Sequence, residues 1–236
     1  MAKKLLVVGA HSADFVWRSA GAIALHTSQG GVAMVLALSY GERGESGELW
    51  KEEGQTVEKV KKIRHQQAEA AAEHVGASFH CLDLGDYPLK MTDEAMDKLI
   101  EVFRQEEPEV ILTHTAQDPF NPDHPVAYEA VSRARLLASG AGVASAFDRI
   151  NPPVVYMFEP HQPELSGFMP NTYLDIGPVF EKKLKAMEEM GAQSYLKSYY
   201  SELAGRRGNH AKRISGKNIK YAEAFQRITP TVTDGL

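Results

Sequence analysis

Short apolar runs that stop abruptly at polar clusters constrain this 236-residue chain more than any other feature in it. KLLVVGA at 4–10, VAMVLALS at 32–39, EVILTHT at 109–115 and PVVYMFEP at 153–160 are each too short to be buried helices. They read as strands apolar on both faces, the signature of a parallel sheet covered on two sides. The covering helices lie between them. One is expected over 19–29, closed by Gly30 and Gly31, and an alanine-rich one over 55–75, stopped at Gly76. A third covers 92–105 behind a Thr92 cap, and 123–139 and 179–193 complete the set. Shorter strands are expected at 79–84 and 172–176. Strands alternating with helices predict an α/β fold: a Rossmann-like, mostly parallel sheet with helices on both faces and right-handed crossovers. A single domain spans 1–236, ending in a polar, basic segment over about 205–236.

Composition narrows the classes of function. A net charge of −5 offers no field that attracts nucleic acid. No stretch approaches the ~20 consecutive apolar residues of a membrane-spanning helix. The opening MAKKLLVVGAHSADF carries too short an apolar run for a signal peptide and leads straight into the first strand. Cys81 is the sole cysteine, so no intramolecular disulfide forms, and a reducing, cytoplasmic setting fits.

Parallel α/β sheets place their sites at the carboxyl ends of the strands. The polar clusters of this chain follow strand ends: His11 to Asp14, Glu42 to Glu48, His114 to His124, and Glu159 to His161. His11, Asp14 and His124 are two imidazoles and a carboxylate, a common donor set for a catalytic zinc with a position left open. The same three residues also suit the starts of two helices. Their shared edge of the sheet favours the metal. Zinc is the default ion, and another divalent metal is compatible with the set. Asp123 and Asp118 are natural partners for orienting a ligating imidazole.

AHSADF after a first strand, then GAIAL, then NPDHPVA, and DI…EKK over 175–183 resemble the LmbE-like, or PIG-L, family of zinc-dependent deacetylases. The resemblance runs nearly the length of the chain and implies His11, Asp14 and His124 as ligands. Its departures matter more. The family's opening motif is Ala-His-Pro-Asp-Asp-Glu, and its first Asp serves as general base. Here that Asp is Ala13, the Pro is Ser12 and the Glu is Phe15. A methyl group accepts no proton, so the base must come from elsewhere or the reaction must differ. SYGERGESGELW, LGDYPL and FEPHQPE resemble hydratases on the same fold that act in gallate and protocatechuate breakdown. This implies a zinc-dependent hydro-lyase that adds water across a conjugated carbon–carbon double bond of a small tricarboxylate. Deacetylation of an N-acetylated sugar or amine is the alternative.

Such a hydration needs a group to hold enolate-like charge, a base for the water and an acid for the neighbouring carbon. The base candidates are Glu42, Glu45 and Glu48, with Glu45 favoured for its place inside GERGES. His161 is the candidate acid or second base, since imidazole titrates near neutrality. A tricarboxylate calls for guanidinium forks. Arg43 in the glutamate loop, Arg18 one turn beyond Asp14, and Arg207 among the basic residues of the tail are the candidates. Asn121 is a further candidate for binding substrate. His114 is ambiguous, and Trp17 is near enough to the metal loop to wall a pocket. A basic tail also hints at contacts in a homo-oligomer.

Overall fold

A computed structural model describes residues 3–233. Seven strands form one sheet: β1 (Lys4–Gly9), β2 (Val32–Ala37), β3 (Ser78–Cys81), β4 (Val110–Thr113), β5 (Val154–Phe158), β6 (Thr172–Asp175) and β7 (Ala222–Arg227). Their order across the sheet is β3-β2-β1-β4-β5-β7-β6. The first five pair in parallel, and β7 runs antiparallel between β5 and β6. The helices are α1 (Asp14–Ser28), α2 (Val57–Val75), α3 (Asp93–Glu106), α4 (Asp123–Ser139), α5 (Phe180–Glu188) and α6 (Leu196–Ser215).

Strand alternation sorts the core into two layers. Leu5 and Val7 of β1, with Val35 and Ala37 of β2, face Ile23 of α1, Ala68 and Ala72 of α2, and Met187 of α5. Leu6 and Val8 point the other way, into Leu99 and Phe103 of α3 and Ala130 and Val131 of α4. Each fully buried Leu, Val or Phe contributes roughly 1.5–3 kcal/mol of transfer free energy, so both layers are needed to hold the central strands. The alanine face of α2 permits its close approach, and the helix is bounded as its ends dictate. The Thr56 hydroxyl accepts from the Lys59 amide, and Gly76 closes the helix at φ 74°. Thr92 accepts from the Ala95 amide at the start of α3.

The structure departs from the sequence reading in three elements, one of them the helix expected over 179–193, which ends at Glu188. The helix after β1 starts at Asp14 rather than residue 19, because the polar turn runs directly into it with an acid in its first turn. The basic segment from about 205 is no loose tail: it supplies the second half of α6 and all of β7. No helix of the described residues is long and apolar enough to cross a membrane.

Candidate metal centre and cleft

β1, β2, β4 and β5 all end on one edge, and the segments leaving them build the site. The turn after β1 carries His11 and Asp14, and the start of α4 carries His124. One donor atom from each lies within 4.8 Å of the other two. His11 Nδ1 is 3.6 Å from Asp14 Oδ2, and His124 Nε2 is 3.6 Å from Asp14 Oδ1.

Hydrogen bonding decides which ring nitrogens are free. His11 Nε2 lies 3.1 Å from Asp123 Oδ2, and His124 Nδ1 lies 2.8 Å from Asp118 Oδ2. A carboxylate only accepts, so these nitrogens carry the protons. The opposite nitrogens, His11 Nδ1 and His124 Nε2, are buried and have no hydrogen-bond partner. Two bare lone pairs buried beside a carboxylate are costly unless a cation completes them. The donor set therefore fits a divalent metal, with each imidazole oriented by its own aspartate. Asp123, next to His124 in the chain, in fact orients His11. It is fixed in turn by the Tyr87 and Leu89 amides, at 2.9 and 2.8 Å.

The charges answer to this packing. Burial disfavours charge on His11, but the Asp123 hydrogen bond and the Asp14 and Glu45 charges outweigh it and raise the His11 pKa. Burial likewise opposes ionisation of Asp14, yet His114 and His124 hold its carboxyl well below the usual range. His114 stacks on His124 at 4.0 Å between ring centroids, with its Nε2 3.0 Å from Asp14 Oδ2. Burial and then the neighbouring His124 push its pKa down to about 3, so it sits behind the donor set as a neutral ring.

A cleft of about 220 Å³ opens over these residues, walled by Ala13, Trp17, Phe120, Tyr195 and Tyr200. Glu45 and His161 both line it. The Glu45 loop is shaped by buried Asp86, whose carboxylate accepts the Arg43 and Gly44 amides at 2.7–3.0 Å. Gly41 turns the loop at φ +70°, where a Cβ would lie 2.9 Å from that of Glu45. A Cβ on Gly44 would meet the Tyr87 ring at 2.1 Å. Glu45 Oε1 accepts from Asn121 Nδ2 and Oε2 from Gln193 Nε2, both at 2.7 Å. Burial and the nearby Arg18 lower the His161 pKa, which keeps its ring in the neutral form more often.

The candidate cations part company. Arg18 is buried at the cleft wall; its Nη1 donates to the Glu159 carbonyl, while its Nε has no hydrogen-bond partner and lies 3.6 Å from Asp14 Oδ1. Arg43 is not brought to the cleft. Its guanidinium donates to the Asp86 carbonyl, and Glu42 lies 3.6 Å away, because the loop turns it toward that buried acidic pair. Arg207 is also not free: its fork is bound by the Glu159 carboxylate beyond Arg18. Of the other loop glutamates, Glu42 is fully buried away from the cleft and Glu48 pairs with Lys51 at the surface. Gln193, Tyr195 and Tyr200 were not visible as site residues, since no motif or titratable cluster marks them.

The family model described as PIG-L: GlcNAc-PI de-N-acetylase matches residues 6–135. A 4-oxalmesaconate hydratase of Pseudomonas putida is 46% identical over 99% of this chain and 92% of its own length. The crystal structure of GalB, the 4-carboxy-2-hydroxymuconate hydratase of Pseudomonas putida, superposes with a TM-score of 0.96, covering 99% of both chains at 46% identity. An N,N'-diacetylchitobiose deacetylase from Pyrococcus horikoshii shares the fold at 20% identity and a TM-score of 0.80, over 96% of this chain and 84% of its own.

Proposed function

The chain belongs to the PIG-L family, and from that premise we propose that it is a metal-dependent hydro-lyase rather than a deacetylase. The reaction adds water across the conjugated double bond of 4-oxalomesaconate (4-carboxy-2-hydroxymuconate) and yields 4-carboxy-4-hydroxy-2-oxoadipate, a step of aromatic catabolism. The similarity of the whole chain to the Pseudomonas hydratase supports this substrate.

The observation that carries the reading is a displaced base. Ala13, buried at the cleft, offers only a methyl group where the family pattern places aspartate. A carboxylate enters the same cleft from another strand end, as Glu45, held through both oxygens by amides. His11, Asp14 and His124 would hold the metal, with zinc the ion best suited to two imidazoles and a carboxylate. When bound, the metal supplies a Lewis acid that draws electron density from an oxygen and so stabilises developing negative charge.

The remaining steps belong to side chains. Glu45 takes a proton from the attacking water at Oε1 or Oε2, with its amide partners holding the carboxylate toward the cleft. His161, which also lines the cleft, delivers a proton to the carbon next to the site of attack. Its lowered pKa makes it a readier donor once protonated. Arg18 binds a substrate carboxylate through its Nε–H, which makes no hydrogen bond and faces Asp14 Oδ1 at 3.6 Å. Asn121 serves substrate indirectly, by orienting Glu45. Trp17, Phe120 and Tyr200 exclude water around the reacting carbons. A lone Cys81 and a small anionic substrate suit a reducing cytoplasm.

The test is an ultraviolet assay of the Zn²⁺-reconstituted protein on 4-oxalomesaconate beside an acetate-release assay on N,N'-diacetylchitobiose. Loss of conjugated absorbance without acetate release supports the hydratase. Acetate release with an unchanged spectrum overturns it.

A further inference from the structure

Arg64 of α2 is among the largest fully buried side chains in the protein, and no carboxylate among the described residues lies within ion-pairing distance of it. Burying an unpaired guanidinium is expensive, and burial depresses the Arg64 pKa to about 10. Its donors go to neutral oxygens. Nε donates to the Tyr40 carbonyl at 3.3 Å, Nη1 to Gln67 Oε1 at 3.3 Å and Nη2 to Gln193 Oε1 at 3.2 Å.

The Gln193 contact leads to the cleft. Gln193 Oε1 also accepts from Trp17 Nε1 at 3.4 Å, while its Nε2 donates to Glu45 Oε2 at 2.7 Å. Arg64 and Trp17 can only donate, and a carboxylate can only accept, so the amide has one possible orientation. Its oxygen faces the cation and its N–H faces the anion. Glu45 is also the nearest thing Arg64 has to a counter-charge: it is the leading electrostatic influence that favours the charged guanidinium. Asn121 holds the other Glu45 oxygen and is itself fixed, its Oδ1 accepting the Asp123 amide at 3.1 Å.

We infer that Arg64 and Gln193 are positioning residues for the hydration step, a buried cation acting through one oriented amide to aim and charge-compensate Glu45. The inference rests on the assignment of Glu45 as base. Arg64 does not line the cleft, whereas Gln193 does, so a purely substrate-binding role for Gln193 has to be separated from this one.

Gln193→Met keeps the volume and removes the hydrogen bonds to Arg64, Trp17 and Glu45. Deleting a hydrogen bond to a charged group predicts a fall in kcat of about ten- to a hundredfold. KM for 4-oxalomesaconate should stay within about twofold, with bound zinc at the wild-type level. In a Glu45→Gln background the same substitution should have no further effect, because there is no carboxylate left to aim. A kcat within twofold of wild type, a loss confined to KM, or an equal fold-loss in both backgrounds overturns the inference. Arg64→Lys should retain part of the activity that Arg64→Met loses. If Arg64→Met does not fold, the Gln193→Met cycle decides alone. Wild-type turnover by Glu45→Gln defeats the base assignment itself, whereas a slow Glu45→Gln beside a normal Gln193→Met defeats only the positioning role.

Discussion

Helix α1 carries two buried polar clusters, and they are built on opposite plans. At its N-terminus, the cluster of His11, Asp14 and His124 leaves two imidazole nitrogens and the neighbouring Arg18 Nε without hydrogen-bond partners. In its middle, Lys183 Nζ donates to the Trp17 carbonyl at 2.9 Å and to Glu223 Oε1 at 2.6 Å. The Glu223 carboxylate also takes the Gly21 and Ala22 amides, at 2.9 and 2.7 Å. The second cluster ties α5 and β7 to the helix and leaves no charge of Lys183 or Glu223 uncompensated. Both are buried and ionic, so burial and charge do not tell a site from a structural clasp. Converging donors with unspent capacity do: the clasp is complete within the chain, whereas two imidazole nitrogens without hydrogen-bond partners converge with a carboxylate in the donor set, which suits a bound cation.

The contrast breaks first if the two clusters respond alike to truncation. Removing the metal by chelation, or His124→Ala, should lower turnover by about 10³-fold or more, since the Lewis acid is worth several kcal/mol to the transition state. Far-ultraviolet circular dichroism should be unchanged, because His124 belongs to neither apolar core layer. Activity that survives exhaustive chelation would remove the metal from the account.

At the clasp the loss should fall on stability. Lys183→Met leaves Glu223 buried and uncompensated, at a cost of about 3–5 kcal/mol. Denaturant unfolding should show a lower midpoint. Adding Glu223→Gln should recover part of it, while the zinc content of the folded protein stays near one per chain. Gly21→Ala should act in the same direction, because its Cβ would lie 2.7 Å from Ile176 and 2.9 Å from Glu223 Oε1. A midpoint unmoved by Lys183→Met would mean that the pair contributes nothing net.

The clasp also marks where the sequence stops being legible. The N-terminal cluster stands out in the sequence because two of its three candidate donors share one turn, directly after a clear apolar strand. The NPDHPVA motif supplied the third. β7, AEAFQR, hides its strand pattern because the clasp puts a charged Glu223 in a buried position, where alternation predicts an apolar residue. The second half of α6 reads as a polar, basic segment partly because Gly205 and Gly208 weaken its helical signature. Gly208 is needed there: a Cβ would come within 2.2 Å of the Lys220 carbonyl on the approach to β7. Gln193 and Arg64 meet across 129 residues, and no local pattern announces such a contact.

Within the metal cluster, the partners of the ligands should matter less than the ligands. Asp118→Asn removes the carboxylate that orients His124, and it should weaken zinc binding about 10–100-fold, read by competition with a chromogenic chelator. Asp123→Asn should do the same through His11, with an added cost in stability, because the Tyr87 and Leu89 amides lose their charged acceptor. Equal zinc affinity in Asp118→Asn and wild type would mean that packing alone, including the His114 ring stacked on His124, sets the orientation of that imidazole.

The smallest effect is expected at the arginine that the sequence places nearest Glu45. Arg43 lies two residues from Glu45, which makes it a natural carboxylate fork for the substrate. Its side chain is 52% exposed, however, and its guanidinium is spent on the Asp86 carbonyl, with Glu42 nearby. What shapes the Glu45 loop is the backbone of Arg43, whose amide the Asp86 carboxylate accepts, and that bond survives truncation of the side chain. Arg43→Ala should therefore leave KM for 4-oxalomesaconate within about twofold, since exposed ion pairs contribute only about 0–1 kcal/mol. A tenfold rise in KM would show that the loop releases Asp86 when substrate arrives and swings this guanidinium into the cleft.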